Sequence, residues 1–225
     1  MNRIPIIQIT SKIKNIKRFI LLKDHIIKTC IESTGGEYFL VSPENDELEQ
    51  SVNNLGGSFI HYDSWEKDMS RKWRMGLDAY KQSESKSEWV CLLADDMFPD
   101  DEWQQSMSSF LASQPEGQYG FRLTDENNQR HEHGEDWMQY PNRKLNLPHR
   151  PLRYDVETGD YEDSPTAYVA ACVVHRNVVD FIEPFGIFGA APDVMWSLAI
   201  RQCGYKIGFN PKARAYHVGD RRDNR

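Results

Sequence analysis

No run of apolar residues in this chain approaches the length needed to cross a bilayer. The opening residues, MNRIPIIQITSKIKN, lack the apolar stretch and small-residue cleavage site of a secretory signal. Both absences predict a soluble, cytoplasmic protein. Cysteine is scarce too. Cys30, Cys91, Cys172 and Cys203 are scattered without a CxxC pair, which argues against a zinc site or a disulfide framework and predicts reduced, mostly buried thiols. Nor is there an excess of positive charge. The 34 Asp and Glu outnumber the 27 Lys and Arg, for a net charge of -7, which disfavours indiscriminate binding to nucleic acid or anionic membrane. Internal repeats, low-complexity tracts and linkers are also missing, so residues 1–225 read as one domain. Hydrophobic residues make up 39% of the chain, enough to build a core and too much for a disordered segment.

The first hundred residues alternate strand and helix. PIIQIT (Pro5 to Thr10), YFLVS (Tyr38 to Ser42), SFIHYD (Ser58 to Asp63) and WVCLLAD (Trp89 to Asp95) read as strands. Ile16, Phe19, Ile20, Ile27 and Cys30 recur at roughly helical spacing, and Gly35-Gly36 supplies a stop. Met69, Trp73, Leu77 and Tyr80 mark one face of a second helix, and PEND after the second strand reads as a turn. This α/β alternation predicts a largely parallel sheet with helices on its faces, and in such sheets ligands bind beyond the carboxyl ends of the strands. Further on, DEWQQSMSSFLAS predicts a helix with acids in its first turn, YGFRLTD and TAYVAACVVH predict strands, and PDVMWSLAIRQCG predicts a helix bounded by Pro192 and Gly204. YKIGFNP and ARAYH read as two short strands. Residues 126–163 are polar and without clear periodicity, and a loop of that length is functional or mobile.

The fourth strand ends in Asp95 and Asp96, adjacent carboxylates that repel each other. Such a pair suits a hard cation, general acid/base work, or the cap of the helix that starts near Asp100. Asp100 and Asp101 already supply acids for capping, so Asp95 and Asp96 are surplus to it, and cation binding gains weight.

WVCLLADDMFP resembles the strand-plus-acid signature of GT-A glycosyltransferases, especially the inverting family 2, where an apolar strand ends in Asp-x-Asp. Alignment on the strand and Pro99 puts the metal-binding aspartate on Asp96, with Ala94 in place of the first acid. FGAAPDVMWSLAIRQCGYKIGFNPKARAYH is similar to the family's late segment. There Asp193 takes the place of the general base, Pro192 replaces the acid before it, and a Tyr-His ending falls on His217. SRKWRMGLDAY resembles the helix before the Asp-x-Asp strand.

The resemblance implies a GT-A fold, with a Rossmann-like mixed sheet, a nucleotide-sugar-binding lobe over about 1–100 and an acceptor-binding lobe over about 101–225. It implies a nucleotide-diphosphate sugar donor, UDP-linked by preference, and a hydroxyl-bearing acceptor such as a carbohydrate. It also implies Mn2+ or Mg2+ held by Asp96, Asp95 and His217, nucleotide contacts at Thr10, Glu44, Asn45, Lys72 and Asp95, and Asp193 as base. Plainer roles stand beside these. Asp193 suits a first-turn acid that complements its helix dipole. His217 suits a surface position on a terminal strand, and Glu44 and Asn45 suit a turn. HEHGED (His131 to Asp136) has metal-like His-x-His spacing but reads better as an acceptor-facing or solvated loop. Trp137, Tyr140 and Tyr154 suit either sugar stacking or pinning of the loop. Two other functions compete: a nucleotidyltransferase acting on a sugar phosphate, and a non-catalytic sugar- or protein-binding module on a degenerate transferase fold. QITSKIKN lacks the glycines that the first needs, while Ala94 and Pro192 favour the second.

Overall fold

The computed structural model describes residues 3–10, 13, 16–63, 69–124, 132–137, 149–153, 162–163, 170–179 and 192–217. Strand β1 (Ile6–Ile9) is buried at every position. After it come α1 (Ile16–Leu21), a π-helical turn (Leu22–Ile26) and α2 (Ile27–Thr34). The wider turn changes which residues face inward. Leu22, Ile26, Ile27 and Cys30 enter the core, whereas Ile16 and Ile20 stay exposed at 66% and 46%. Gly35, at φ 68°, ends α2 in the left-handed conformation and donates its N–H to the Ile31 carbonyl, as glycine does at helix ends.

Next are β2 (Tyr38–Ser42), α3 (Asp46–Asn54), β3 (Ser58–His61), α4 (Met69–Gln82) and β4 (Trp89–Ala94). Helix α3 is a departure from expectation, because the PEND turn doubles as its start. Asn45 Oδ1 accepts from the Leu48 N–H at 3.0 Å, and Asp46, Glu47 and Glu49 occupy the first turn. The short β5 (Met97–Pro99) separates the Asp95-Asp96 pair from α5 (Trp103–Leu111). Capping of α5 by Asp100 or Asp101 does not hold either. Its N-cap residue is Glu102, with no side-chain cap bond. Asp100 instead turns the chain before the helix, accepting from the Trp103 N–H through its carbonyl at 3.2 Å. Burial pushes its carboxyl pKa up, partly offset by the Glu102 backbone N–H and by Arg214.

The remaining elements are β6 (Gly117–Thr124), β7 (Glu132–Trp137), β8 (His149–Arg153), β9 (Glu162–Asp163), β10 (Ala171–His175), α6 (Arg176–Val179), α7 (Pro192–Gln202) and β11 (Lys206–His217). The segment read as aperiodic loop thus holds an antiparallel β7–β8 pair. The two short C-terminal strands are one strand with a break. Pro211 has no N–H to give the ladder, and the pairing of β11 with β6 shifts register between Asn210 and Arg214. Asn210 holds the break, accepting from the Lys212 N–H and donating to the Ser106 carbonyl.

Strand order along the sheet is β3-β2-β1-β4-β10-β6-β11-β5. The first four are parallel. Strand β10 runs antiparallel between β4 and β6, β11 is parallel to β6, and β5 is antiparallel to β11. From β1 the chain steps to β2 and β3 on one side and later to β4 on the other. A crevice therefore opens at the carboxyl ends of β1 and β4, where the order switches.

Both faces of the sheet are covered, which explains the near-continuous apolar strands. On one face Ile6, Cys91 and Leu93 pack with α2, α3 and the Trp103, Met107 and Leu111 side of α5. On the other, Ile7, Ile9, Val90 and Leu92 pack with Trp73, Leu77 and Tyr80 of α4, and with Trp196 and Ile200 of α7. Helix α4 lies close against β1 because residue 76 is glycine. A Cβ there would overlap Ile7 Cγ2 and meet Val41 Cγ2 at 3.2 Å. Gly76→Ala is expected to lower stability by about 1–3 kcal/mol, the usual cost of overpacking, as measured by denaturant unfolding.

Candidate functional site

The carboxyl edge of the sheet gathers the acids. Thr10 directly follows β1, and its N–H donates to the Val41 carbonyl of β2 at 2.9 Å. Its Oγ1 donates to Asp95 Oδ2 at 2.7 Å, across the β1–β4 crevice. Asp95 is 8% exposed. A carboxylate that deep is costly unless hydrogen-bonded and compensated by positive charge.

Lys72 supplies the compensation. It stands one helical turn before Gly76, and the close approach of α4 carries its ammonium to the end of β1. There Nζ donates to the Thr10 carbonyl at 3.2 Å and lies 4.3 Å from the centroid of the Tyr62 ring, a cation–π distance. Burial pushes the Lys72 pKa down, while Asp95 acts in the opposite sense. Beneath this cluster the Tyr38 hydroxyl donates to Gln8 Oε1 at 2.6 Å, and Gln8 Nε2 donates to the Ala94 carbonyl at 2.9 Å. The backbone leading into Asp95 is thereby tied to β1 and β2.

Asp96 points to a different partner. The next residue, Met97, pairs with His217 in the β5–β11 ladder. This register brings His217 Nε2 to 3.4 Å from Asp96 Oδ2. The two side chains are 39% and 23% exposed, open enough for a ligand to reach them. The intervening strand β5 also removes the helix-cap reading of Asp95 and Asp96.

The other sequence-derived candidates are placed as follows. Asn45 caps α3, and Glu44 is exposed beside it at the carboxyl end of β2. Asp193 stands second in α7, with its side chain outside the described residues. Trp137 and residues 132–136 of the HEHGED stretch lie on β7, whereas His131, Tyr140 and Tyr154 fall outside the described residues. The structure therefore brings Thr10, Lys72 and Asp95 into one cluster and Asp96 and His217 into a neighbouring pair. Gln8, Tyr38, Tyr62 and Gly76 support the edge without having been expected there. Gln8 carried a signal as a polar residue inside the apolar run IIQI, and Gly76 as a glycine inside the helical stretch SRKWRMGLDAY.

A divalent cation fits the Asp96–His217 pair. Two ligands at right angles around a small octahedral ion, each about 2.1 Å from it, stand about 3.0 Å apart, close to the spacing seen. Imidazole beside carboxylate suits a transition ion such as manganese better than magnesium. Among the described residues no three of His, Cys, Asp or Glu form a group that holds a metal unaided. An ion here needs further oxygens from a substrate or water, as ions that bridge to phosphates do.

No family model and no curated protein matches the sequence. Solved structures do match. GalNAc-T7, solved with UDP, GalNAc and Mn2+, superposes with a TM-score of 0.67 at 12% identity over 96% of this chain. The fold is GT-A. The chain spans 44% of that GalNAc-T7 chain. The inositol-1-phosphate CTP transferase from T. maritima matches with a TM-score of 0.56 at 10% identity, over 96% of this chain and 89% of that one. A197 from STIV matches equally well, at 0.56 and 11% identity, over 96% of this chain and 86% of its own. The neighbours thus include a glycosyltransferase and a nucleotidyltransferase with similar nucleotide-binding folds. Among the described residues no helix is long and apolar enough to cross a membrane.

Because Asn45 Oδ1 accepts the Leu48 N–H, Asn45→Ala is expected to cost about 0.5–2 kcal/mol, the usual value of a lost N-cap. Asn45→Asp should retain most of it. Thermal or denaturant unfolding of the pair checks this.

Proposed function

We propose that the chain is a metal-dependent glycosyltransferase that moves a sugar from a nucleotide-diphosphate sugar, UDP-linked by preference, to an acceptor hydroxyl with inversion. The observation that carries this reading is the Asp96–His217 pair, 3.4 Å apart at the carboxyl edge of the sheet, beside the crevice closed by Thr10 and Asp95. Residues 1–100 form the donor half and residues 101–225 the acceptor half, of one domain that works in the cytoplasm.

Asp96 and His217 would hold Mn2+ or Mg2+, with Asp95 behind them, and an ion so held would supply Lewis-acid neutralisation of the charge that grows on a departing diphosphate. Lys72 and Thr10 set the position of Asp95, and with it the floor against which the nucleotide rests. Glu44 and Asn45, at the end of the adjacent strand, face the base. Asp193, at the start of α7, takes the proton from the acceptor hydroxyl as it attacks the anomeric carbon.

Calorimetry with uridine diphosphate and manganese should show binding that weakens about tenfold or more, about 1.4 kcal/mol, with EDTA or in Asp96→Ala. Binding indifferent to both would remove the metal from the scheme. Asp193→Asn separates a base from an acid that merely complements a helix. A base gives a fall in transfer of about 10²–10⁴-fold with donor binding intact. A dipole partner gives a loss of about 0.3–1 kcal/mol in stability and normal turnover. The melting temperature and transfer rate of the same variant decide between them.

The match to the CTP transferase over 89% of its chain supports a second reading, transfer of a nucleotide to a sugar phosphate. The two differ in what is released. A glycosyltransferase frees a nucleoside diphosphate from the donor, and a nucleotidyltransferase frees pyrophosphate from a nucleoside triphosphate.

A further inference from the structure

The edge of the sheet opposite the acids also carries a cleft, of about 750 Å³. It opens at Trp89, the first residue of β4, whereas Asp95 follows the last. The length of β4, about 17 Å at the usual rise per residue, separates the two places. Nothing in the scheme above uses this cleft.

Its walls are of two kinds. Trp89 and Leu111 make an apolar side, while Lys86, Glu88, Glu116 and His175 bring polar groups to the same space. The indole is partly exposed and held in place by other rings: His175 stands edge-on at 4.8 Å between centroids and Tyr119 tilts against it at 5.8 Å. The polar side is anchored as well. Asn177 Nδ2 donates to Glu116 Oε1 at 2.9 Å, and the Asn177 N–H donates to His175 Nδ1 at 3.3 Å. The other Glu116 oxygen lies 3.8 Å from His175 Nδ1. By contrast, the side chains of Lys86 and Glu88 have no hydrogen-bond or ion-pair partner among the described residues, although they stand on the rim.

We infer that this cleft binds a neutral saccharide, with a pyranose ring against Trp89 and its hydroxyls on Glu116, Glu88 and Lys86. Sugars present C–H faces to an aromatic ring and O–H edges to carboxylates, and a rigid indole adds contact area at little cost in ordering. The lining counts against the other classes. Two carboxylates against one lysine repel a phosphate or nucleic acid, and charged groups around the ring disfavour a purely apolar ligand. The inference does not depend on the transfer reaction. With that reaction it makes the cleft a second hold on a polymeric acceptor, remote from the reacting end.

The test is NMR titration of the full chain, ¹⁵N-labelled at tryptophan, with glucose, galactose, N-acetylglucosamine and their linear oligomers. Trp89→Phe assigns the relevant signal among the six indoles. At least one sugar should shift the Trp89 signal saturably, and Glu116→Lys should weaken that binding about tenfold or more. Asp96→Ala should leave it unchanged while impairing uridine diphosphate binding, so failure here and failure of the transferase reading remain distinct. A Trp89 signal that no sugar moves, a shift that survives Glu116→Lys, or a preference for tetramethylammonium over every sugar would each overturn the assignment.

Discussion

The carboxyl edge depends on one buried carboxylate and the two groups that make its burial tolerable. Asp95 is 8% exposed and accepts a 2.7 Å hydrogen bond from Thr10. Without compensation, a charge at that depth costs several kcal/mol. Lys72 answers it, and Lys72 is itself 2% exposed. The two opposite charges favour each other, Asp95 raising the Lys72 pKa that burial lowers. Lys72 reaches the place because α4 packs close enough on β1 for the helix to deliver it, and that packing rests on the missing Cβ of Gly76. A backbone requirement in a helix interior is thus converted into a charge at the end of a strand.

The same pairing divides the labour between neighbouring acids. Two adjacent carboxylates facing one site would repel each other. Here they face different partners. Asp95 turns toward Thr10 within the sheet, and Asp96 toward His217 on the far side of β5. Facing apart lessens the repulsion, and Asp96 is left accessible at the mouth of the crevice. Anchoring Asp95 at Thr10, and the Ala94 carbonyl at Gln8, also fixes the backbone from which Asp96 projects.

Much of this was legible in the sequence, for reasons that can be stated residue by residue. Strands β1, β2 and β4 are buried on both faces and therefore read as unbroken apolar runs, and the charges that end β4 stand out against that background. The register break in β11 was visible only as an interruption, because Pro211 forces a bulge while the strand continues. Helix α3 was hidden because it buries only Leu48 and Val52, and its cap residues imitate a plain turn. The π-helical turn was hidden because one extra residue leaves the spacing looking helical while exchanging which side chains point inward. The different fates of Asp95 and Asp96 were beyond sequence reasoning on local grounds. They are decided by Thr10, 85 positions away, and by His217, which reaches Asp96 through the Met97 register. The cleft at Trp89 was equally out of reach, since β4, β10, α5 and the turn before β6 all contribute to it.

The small number of protein ligands at the carboxyl edge bears on what that edge can do. A site with three or four ligands of its own would hold an ion whether or not a nucleotide was present, and would have little need of a diphosphate. Among the described residues the candidate ligands are the pair Asp96 and His217, and such a pair would leave further coordination positions to other groups. On the proposed reading ion and diphosphate would then hold each other, and any strengthening of one by the other would be reciprocal. Such an arrangement would suit chemistry in which charge accumulates on a departing phosphate. Under either proposed reaction the β1–β4 crevice would receive the phosphate-bearing group, and the group that attacks it would decide between glycosyl and nucleotidyl transfer. In the proposed glycosyl transfer that attack is assisted by Asp193, second in α7.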